Sequence, residues 1–80
     1  FAEAEAVCRD ILRREPDSPN VRFNLPLAVL KQGRREEALA MYRALADELA
    51  ISASPELAAR AQLAAELLAR QIELDQPADR

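Results

Sequence analysis

The residues of this sequence that could carry chemistry are a lone cysteine, three aromatic residues and a spread of charged side chains. Cys8 could act as a nucleophile beside a base, or as a metal ligand beside further thiolates or imidazoles. The chain has one cysteine and no histidine, so a cysteine–histidine pair, a common zinc site and an intrachain disulfide cannot be written. Cys8 is therefore predicted to pack between helices, and we predict no catalytic residue, no metal site and no cofactor.

The charged residues favour neither catalysis nor nucleic-acid binding. The chain has 14 acidic and 11 basic residues and a formal net charge of −3, spread evenly along its length. The acidic residues have no partner histidine or glycine-rich loop with which to build an acid–base site. No basic stripe marks a nucleic-acid surface, and no apolar run approaches the length of a membrane span. We predict a protein that is not an enzyme, does not bind nucleic acid and does not insert directly into a membrane.

Four predicted helices position these side chains. Half of the residues are apolar and only one is glycine, which is typical of helical proteins, and apolar residues recur at the 3–4 spacing of one helix face. Residues 16–20, Gly33 and residues 51–54 interrupt this spacing. We predict an all-α fold of about four helices in one domain, residues 1–75, followed by a frayed tail. The predicted helices cover residues 1–15, about 19–32, 35–50 and 55–74, and the tail covers residues 76–80.

Turn and capping residues mark the ends of these helices. Ser18 and Ser54 are placed to cap helices that begin with Pro19 and Pro55. Gly33 can take the left-handed conformation that ends a helix. The inward face of the fourth helix follows from its own 3–4 spacing of apolar residues. The predicted members of that face are Leu57, Ala61, Ala64, Leu67, Leu68 and Ile72.

Residues 3–12 and 37–46 repeat one pattern 34 residues apart. Four aligned positions are identical (a glutamate, two alanines and an arginine), and two further positions keep apolar side chains. A fixed period of 34 residues in an alanine- and leucine-rich chain is typical of stacked helix-pair repeats. Such repeats bind other molecules and rarely catalyse reactions, so the pattern favours a binding function.

The segment 24–38, followed by Tyr42, resembles the tetratricopeptide repeat, in which each unit is a pair of antiparallel helices, A and B. Leu25 falls on the leucine of helix A, Gly33 on the turn and Ala38 on the small residue of helix B. The resemblance implies a right-handed superhelix of antiparallel helix pairs. It assigns residues 1–15 to helix B of a partial repeat, residues 19–50 to a full repeat, and residues 55–74 to a further helix A or a capping helix.

Three features depart from a regular array of these repeats, and the first is the 38-residue spacing between Leu25 and Leu63. Pro26 stands where the family has a small residue, and its ring meets the carbonyl of Arg22, so a helix-interior proline costs about 3 kcal/mol. Two interpretations stay open: a local kink tolerated by packing, or a kink that reshapes a binding groove. No second helix B follows the fourth helix, so we expect a slice of a longer stack with two unfinished ends.

The resemblance also implies where a partner would bind, because the concave groove of the family is lined by side chains of its A helices. The apolar Phe23 and Leu27 at these positions predict a peptide or partner helix with an apolar or amphipathic surface. Asn24 matches an asparagine that holds peptide carboxylates in some relatives, but the basic residues that accompany it there are missing. Packing of Phe23 within the stack is the alternative. The predicted groove residues are Asn20, Phe23, Asn24, Leu27, Leu30, Lys31, Gln62 and Ala65.

Two other functions stay open from the sequence. Unfinished repeat ends expose apolar faces, which favours homo-oligomerisation. A structural spacer in a larger bacterial envelope protein is the other alternative. Residues 16–25 and the later Ser-Pro-Glu-Leu segment also resemble the periplasmic repeats of surface lipoprotein assembly modifiers. The compartment therefore stays undecided between the cytoplasm and a bacterial periplasm, and the identity of the protein or peptide partner is open.

Overall fold

The described residues form four α-helices that pack in the order of the sequence. The computed structural model describes residues 1–51 and 54–75, and each helix contacts the next one along the chain, as short connections require. The described residues contain no strand, so the predicted all-α class with four helices is confirmed. The predicted tail, residues 76–80, lies outside the described residues. The helices are α1 (Ala2–Arg14), α2 (Pro19–Lys31), α3 (Arg35–Ile51) and α4 (Pro55–Asp75).

The turns that separate α1, α2 and α3 depend on Ser18 and Gly33. Ser18 occupies the N-cap position of α2, with Pro19 as the first helical residue, but the Ser18 side chain makes no capping hydrogen bond. Gly33 has a φ of 85°, and its amide donates to the Leu30 carbonyl at 2.9 Å. Because L-residues with side chains rarely adopt this left-handed conformation, the glycine permits the tight reversal between α2 and α3.

Two clusters of buried side chains form the core. The first cluster joins α2, α3 and α4, and partly buried residues of α1 pack against it. The second cluster joins α3 and α4 alone and includes two alanines, whose small side chains let the two helices approach closely. The first cluster contains Leu25, Val29, Ala38, Tyr42, Ala65 and Leu68, and the second contains Leu45, Leu49, Ala58 and Ala61.

The buried face of α4 differs from the predicted one at Leu67. We predicted that Leu67 faces inward, but it is 56% exposed, so that prediction is wrong. The buried residues of α4 follow a regular 3–4 spacing that includes Leu68. Because consecutive residues on a helix point about 100° apart, burial of Leu68 turns Leu67 toward the surface.

Pro26 lies inside α2, which continues past it to Lys31. The Pro26 ring is less than 2% exposed and borders a crevice shared with Leu12 of α1 and Met41 of α3. Burial of the ring offsets part of the cost of a proline inside a helix. That position supports the interpretation that packing tolerates Pro26, while its effect on a binding groove stays a prediction.

Ion pairs at the helix ends reflect the alternating directions of α2, α3 and α4. Arg22 near the start of α2 pairs with Glu48 near the end of α3, and Arg35 at the start of α3 pairs with Asp75 at the end of α4. The Cα atoms extend over 46 × 30 × 13 Å. The molecule is therefore a slab with a thin core, in which each helix has an inner and an outer face.

Candidate functional site

A groove between α1 and α2 contains three of the eight predicted binding residues. Asn24, Leu27 and Lys31 lie on its α2 wall. The opposite wall belongs to α1, and the volume between the walls is about 530 Å³, within the range of pockets that bind ligands or peptide side chains. We name this surface the α1–α2 groove; its lining residues are Phe1, Glu3, Ala4, Val7, Cys8, Ile11, Val21, Asn24, Leu27, Ala28 and Lys31.

The other five predicted residues lie elsewhere, so the structure does not bring all eight together. Phe23 and Leu30 are partly buried against the core, and the Arg60 guanidinium of α4 lies 5.5 Å from the centre of the Phe23 ring. Ala65 is a member of the first core cluster. Gln62 is exposed beside a separate trough between α3 and α4, and Asn20 is exposed at the start of α2.

The lining of the α1–α2 groove is apolar and open to solvent. Phe1 is 69% exposed, Val7 57% and Leu27 42%. Contiguous exposed apolar side chains of this size are typical of surfaces that bind another protein segment. The polar side chains of the groove are Glu3, Asn24 and Lys31, which suits a partner with an apolar face and polar flanks.

Lys31 illustrates how the rim of the groove is built. Its ammonium nitrogen lies 5.7 Å from the centre of the Phe1 ring, within the range of a cation–π interaction. The contact joins the end of α2 to the residue that precedes α1. It therefore closes the groove at this end and leaves a positive charge at the surface.

The α1 wall of the groove was absent from the predicted site, although the 34-residue pattern contains a signal for it. Ala4 and Cys8 align with Ala38 and Tyr42, which are buried in the first core cluster. Cys8 is only half-buried, because it packs against that cluster on one side and lines the groove on the other. The alignment identifies Ala4 and Cys8 as helix-packing positions, but only the structure shows that they are incompletely covered.

Glu5 connects α1 to the turn between α2 and α3 and so holds the groove wall in place. Its carboxylate accepts hydrogen bonds from Arg34 at 2.7 Å, Gln32 at 2.8 Å and Arg9 at 2.8 Å. Arg34 also pairs with Glu37 at 2.8 Å. These hydrogen bonds, that from Arg34 above all, lower the pKa of Glu5 to about 2, because they stabilise the ionised carboxylate.

The trough between α3 and α4 has a different character. Its volume is about 600 Å³, and its charged side chains are of both signs, so it offers no field that would select one charge of ligand. Alanines such as Ala46 and Ala69 form much of the remaining surface. This mixture supports no particular ligand. The charged lining residues are Arg43, Asp47, Glu66, Arg70 and Glu73.

Comparisons with known proteins identify no relative from which a function could be inferred, so the proposed function depends on the α1–α2 groove. No protein-family model, no curated protein and no solved structure matches this chain. Within residues 1–51 and 54–75, no helix has both the length and the apolar character needed to cross a membrane.

Proposed function

We propose that this chain is a protein-interaction module that binds an amphipathic helix or peptide in the α1–α2 groove. The observation that carries the proposal is an open apolar groove bordered by Glu3, Asn24 and Lys31. The groove uses the α2 wall that the resemblance to tetratricopeptide repeats implied, and that family assignment, with its superhelical arrangement, is part of the proposal. The fold alone would not define a function, so the proposal depends on this site.

Recognition would use apolar side chains of the partner at helical spacing. Residues at positions i, i+3 or i+4, and i+7 of a helix share one face, and that face would cover Val7, Ile11 and Leu27 in the groove. Burying each large apolar side chain contributes roughly 1.5–3 kcal/mol, and association costs about 4–15 kcal/mol. Because the gain from a few such side chains is similar to the cost of association, we expect weak binding, with a dissociation constant in the micromolar to millimolar range.

The single cysteine supplies a direct test of this proposal. Cys8 lines the groove and is the only thiol in the chain, so its rate of reaction with a thiol reagent reports on groove occupancy. The probe is a synthetic helical peptide of about five turns, with leucines on one face and alternating glutamate and lysine on the other. We expect it to slow the reaction several-fold, whereas a scrambled peptide should have no effect.

Two variants make the test specific to the groove. Leu27→Glu places a charge on the α2 wall and should weaken peptide binding at least tenfold. Leu63→Glu is the matched control, because Leu63 is also exposed but lies on α4, outside the groove, and the peptide should still protect Cys8. A thiol rate that the helical peptide leaves unchanged would overturn the proposed function.

A further inference from the structure

Most of the large exposed apolar side chains of the described residues fall on two surfaces. Seven such side chains occur among the described residues. Three of them line the α1–α2 groove, three lie on α4, and Ile51 stands apart at the end of α3. We name the α4 set the α4 stripe; its members are Leu63, Leu67 and Leu74, each more than half exposed.

The α4 stripe and the groove have complementary shapes. The residues of the stripe, at spacings of four and seven, share one face of α4, while Ala61, Ala65 and other buried residues occupy the opposite face. The stripe is therefore the convex outer surface of a single helix, and the groove is a concave surface between two helices. Two grooves could not fill each other, whereas one helix face can fill a groove.

The internal repeat contains a covered equivalent of the groove surface on α1. Ala38 and Tyr42 of α3 are buried with side chains from both α2 and α4. Their equivalents 34 residues earlier, Ala4 and Cys8 of α1, line the open groove beside α2. The groove thus presents to solvent the equivalent of a surface that two helices of the same chain cover elsewhere.

Charge placement also agrees with docking of α4 on α1. Arg70 lies between Leu67 and Leu74 on α4 and is exposed. Glu3 lines the groove near the start of α1. If α4 runs antiparallel to α1, as neighbouring helices do within this molecule, the end of α4 meets the start of α1. Arg70 and Glu73 of α4 then lie at the end of the groove that carries Glu3 and Lys31, so each surface offers one charge of each sign for pairing.

We propose that a second copy of this chain inserts its α4 stripe into the α1–α2 groove. This inference rests on the proposed function of the groove as a helix-binding site and names its partner. The contact joins two different surfaces, so it is head-to-tail. The copy that inserts its stripe keeps a free groove, and the copy that receives it keeps a free stripe, so each can bind a further copy. Assembly therefore grows with protein concentration into open chains, or closes into a ring.

Complementary variants of the full chain test this arrangement. One variant carries Val7→Glu and Leu27→Glu, which block the groove and leave the stripe intact. The other carries Leu63→Glu and Leu67→Glu, which block the stripe and leave the groove intact. All four side chains are exposed, so the variants should fold, and circular dichroism with thermal unfolding checks that they do.

The mass of each sample is measured by sedimentation over a concentration series up to about 1 mM, a range that detects even weak association. The unsubstituted chain should exceed twice its 8.9 kDa mass. Each variant alone should stay monomeric, and an equimolar mixture should form a heterodimer and no larger species. In the mixture, the Cys8 thiol of the stripe-blocked variant should be protected, because only that variant has an open groove to receive the other chain's α4. The Cys8 thiol of the groove-blocked variant should react at its original rate.

Other outcomes overturn the inference. If the stripe-blocked variant still dimerises by itself, the contact is groove to groove; if the mixture stays monomeric, the stripe is not the occupant. The proposed function is judged separately by protection of Cys8 with the synthetic peptide. If the peptide protects Cys8 but the chain does not self-assemble, the groove binds helices but a second copy is not its partner. If the peptide does not protect Cys8 and the chain does not self-assemble, the groove is not a binding site.

Discussion

The Glu5 carboxylate and the Arg34 guanidinium lie 2.7 Å apart and join the first turns of α1 to the residue that precedes α3. The Glu5 side chain is only 13% exposed, and it also binds Gln32 at the end of α2. The Glu5 carboxylate therefore links the start of α1 to the end of α2. We expect the spacing between the walls, and hence the width of the groove, to depend on Glu5.

Replacing Glu5 with glutamine should loosen this connection. Glu5→Gln removes the negative charge that faces Arg34 and Arg9, so we expect the melting temperature to fall by several degrees and the thiol of Cys8 to react faster. Glu36→Gln on α3 is the control, because Glu36 is exposed, lies outside the groove and makes no ion pair among the described residues. Equal effects of the two variants would show that Glu5 has no special role.

The low pKa of Glu5 predicts how stability changes with pH. Its pKa is about 2 in the folded chain against an ordinary value of 4.5, so the folded state holds the ionised form more strongly than the unfolded state does. This stabilisation is present above pH 4.5 and is lost as the pH falls toward 2. Asp10, whose pKa is also lowered, by Arg13 and Arg14, acts in the same direction. Thermal unfolding of the original chain and Glu5→Gln should therefore converge near pH 2, and a constant difference would contradict the prediction.

Equivalent positions in the repeat should respond differently to truncation. Tyr42 is 8% exposed in the first core cluster, so Tyr42→Ala should lower the free energy of unfolding by about 3–5 kcal/mol. Cys8 occupies the same place 34 residues earlier but is half-buried, and Cys8→Ala should cost about 1 kcal/mol or less. Urea unfolding measures both. Losses of equal size would show that α1 is covered as completely as α3.

Pro26→Ala separates the two interpretations of the proline in α2. Alanine is favoured over proline by about 3 kcal/mol inside a helix, while loss of two buried ring methylenes costs about 1.6 kcal/mol. We expect the free energy of unfolding to rise by about 1 kcal/mol. Leu25→Ala, at the neighbouring buried position, should lower it by about 2–5 kcal/mol. If Pro26→Ala melts higher and binds the synthetic peptide as tightly as before, the proline does not shape the groove.

Local sequence signals were sufficient to predict the four helices, while the shape of the site depended on how the helices pack. Ser18, Pro19 and Gly33 act within one or two turns of the backbone, so their effect can be read from neighbouring residues. Leu67 and Leu68 are both leucines in the same helix, and only the position of α3 determines which of them is buried. Helix period alone therefore could not distinguish them.

The candidate site was difficult to predict for the same reason. Leu27 and Lys31 were selected because the resemblance assigns them to the groove face of a helix A, and both line the α1–α2 groove. Ala65 was selected by the same resemblance, but it is buried in the first core cluster and lines the trough between α3 and α4, not the α1–α2 groove. The α1 wall, with Val7 and Ile11, depends on contacts between residues distant in sequence, which no local pattern encodes.

The slab is 13 Å thick at the level of the Cα atoms, and this thinness joins ligand binding to folding. Ala28 is 5% exposed in the interior and also lines the groove, so only one layer of side chains separates a bound partner from the core. A ligand that binds the folded chain alone stabilises it by RT ln(1 + [L]/Kd), about 2.7 kcal/mol when its concentration is about 100 times the dissociation constant. A partner bound in the groove therefore extends the hydrophobic core of the folded chain. Its binding should slow the exchange of the amide hydrogens of α1 and α2 with solvent.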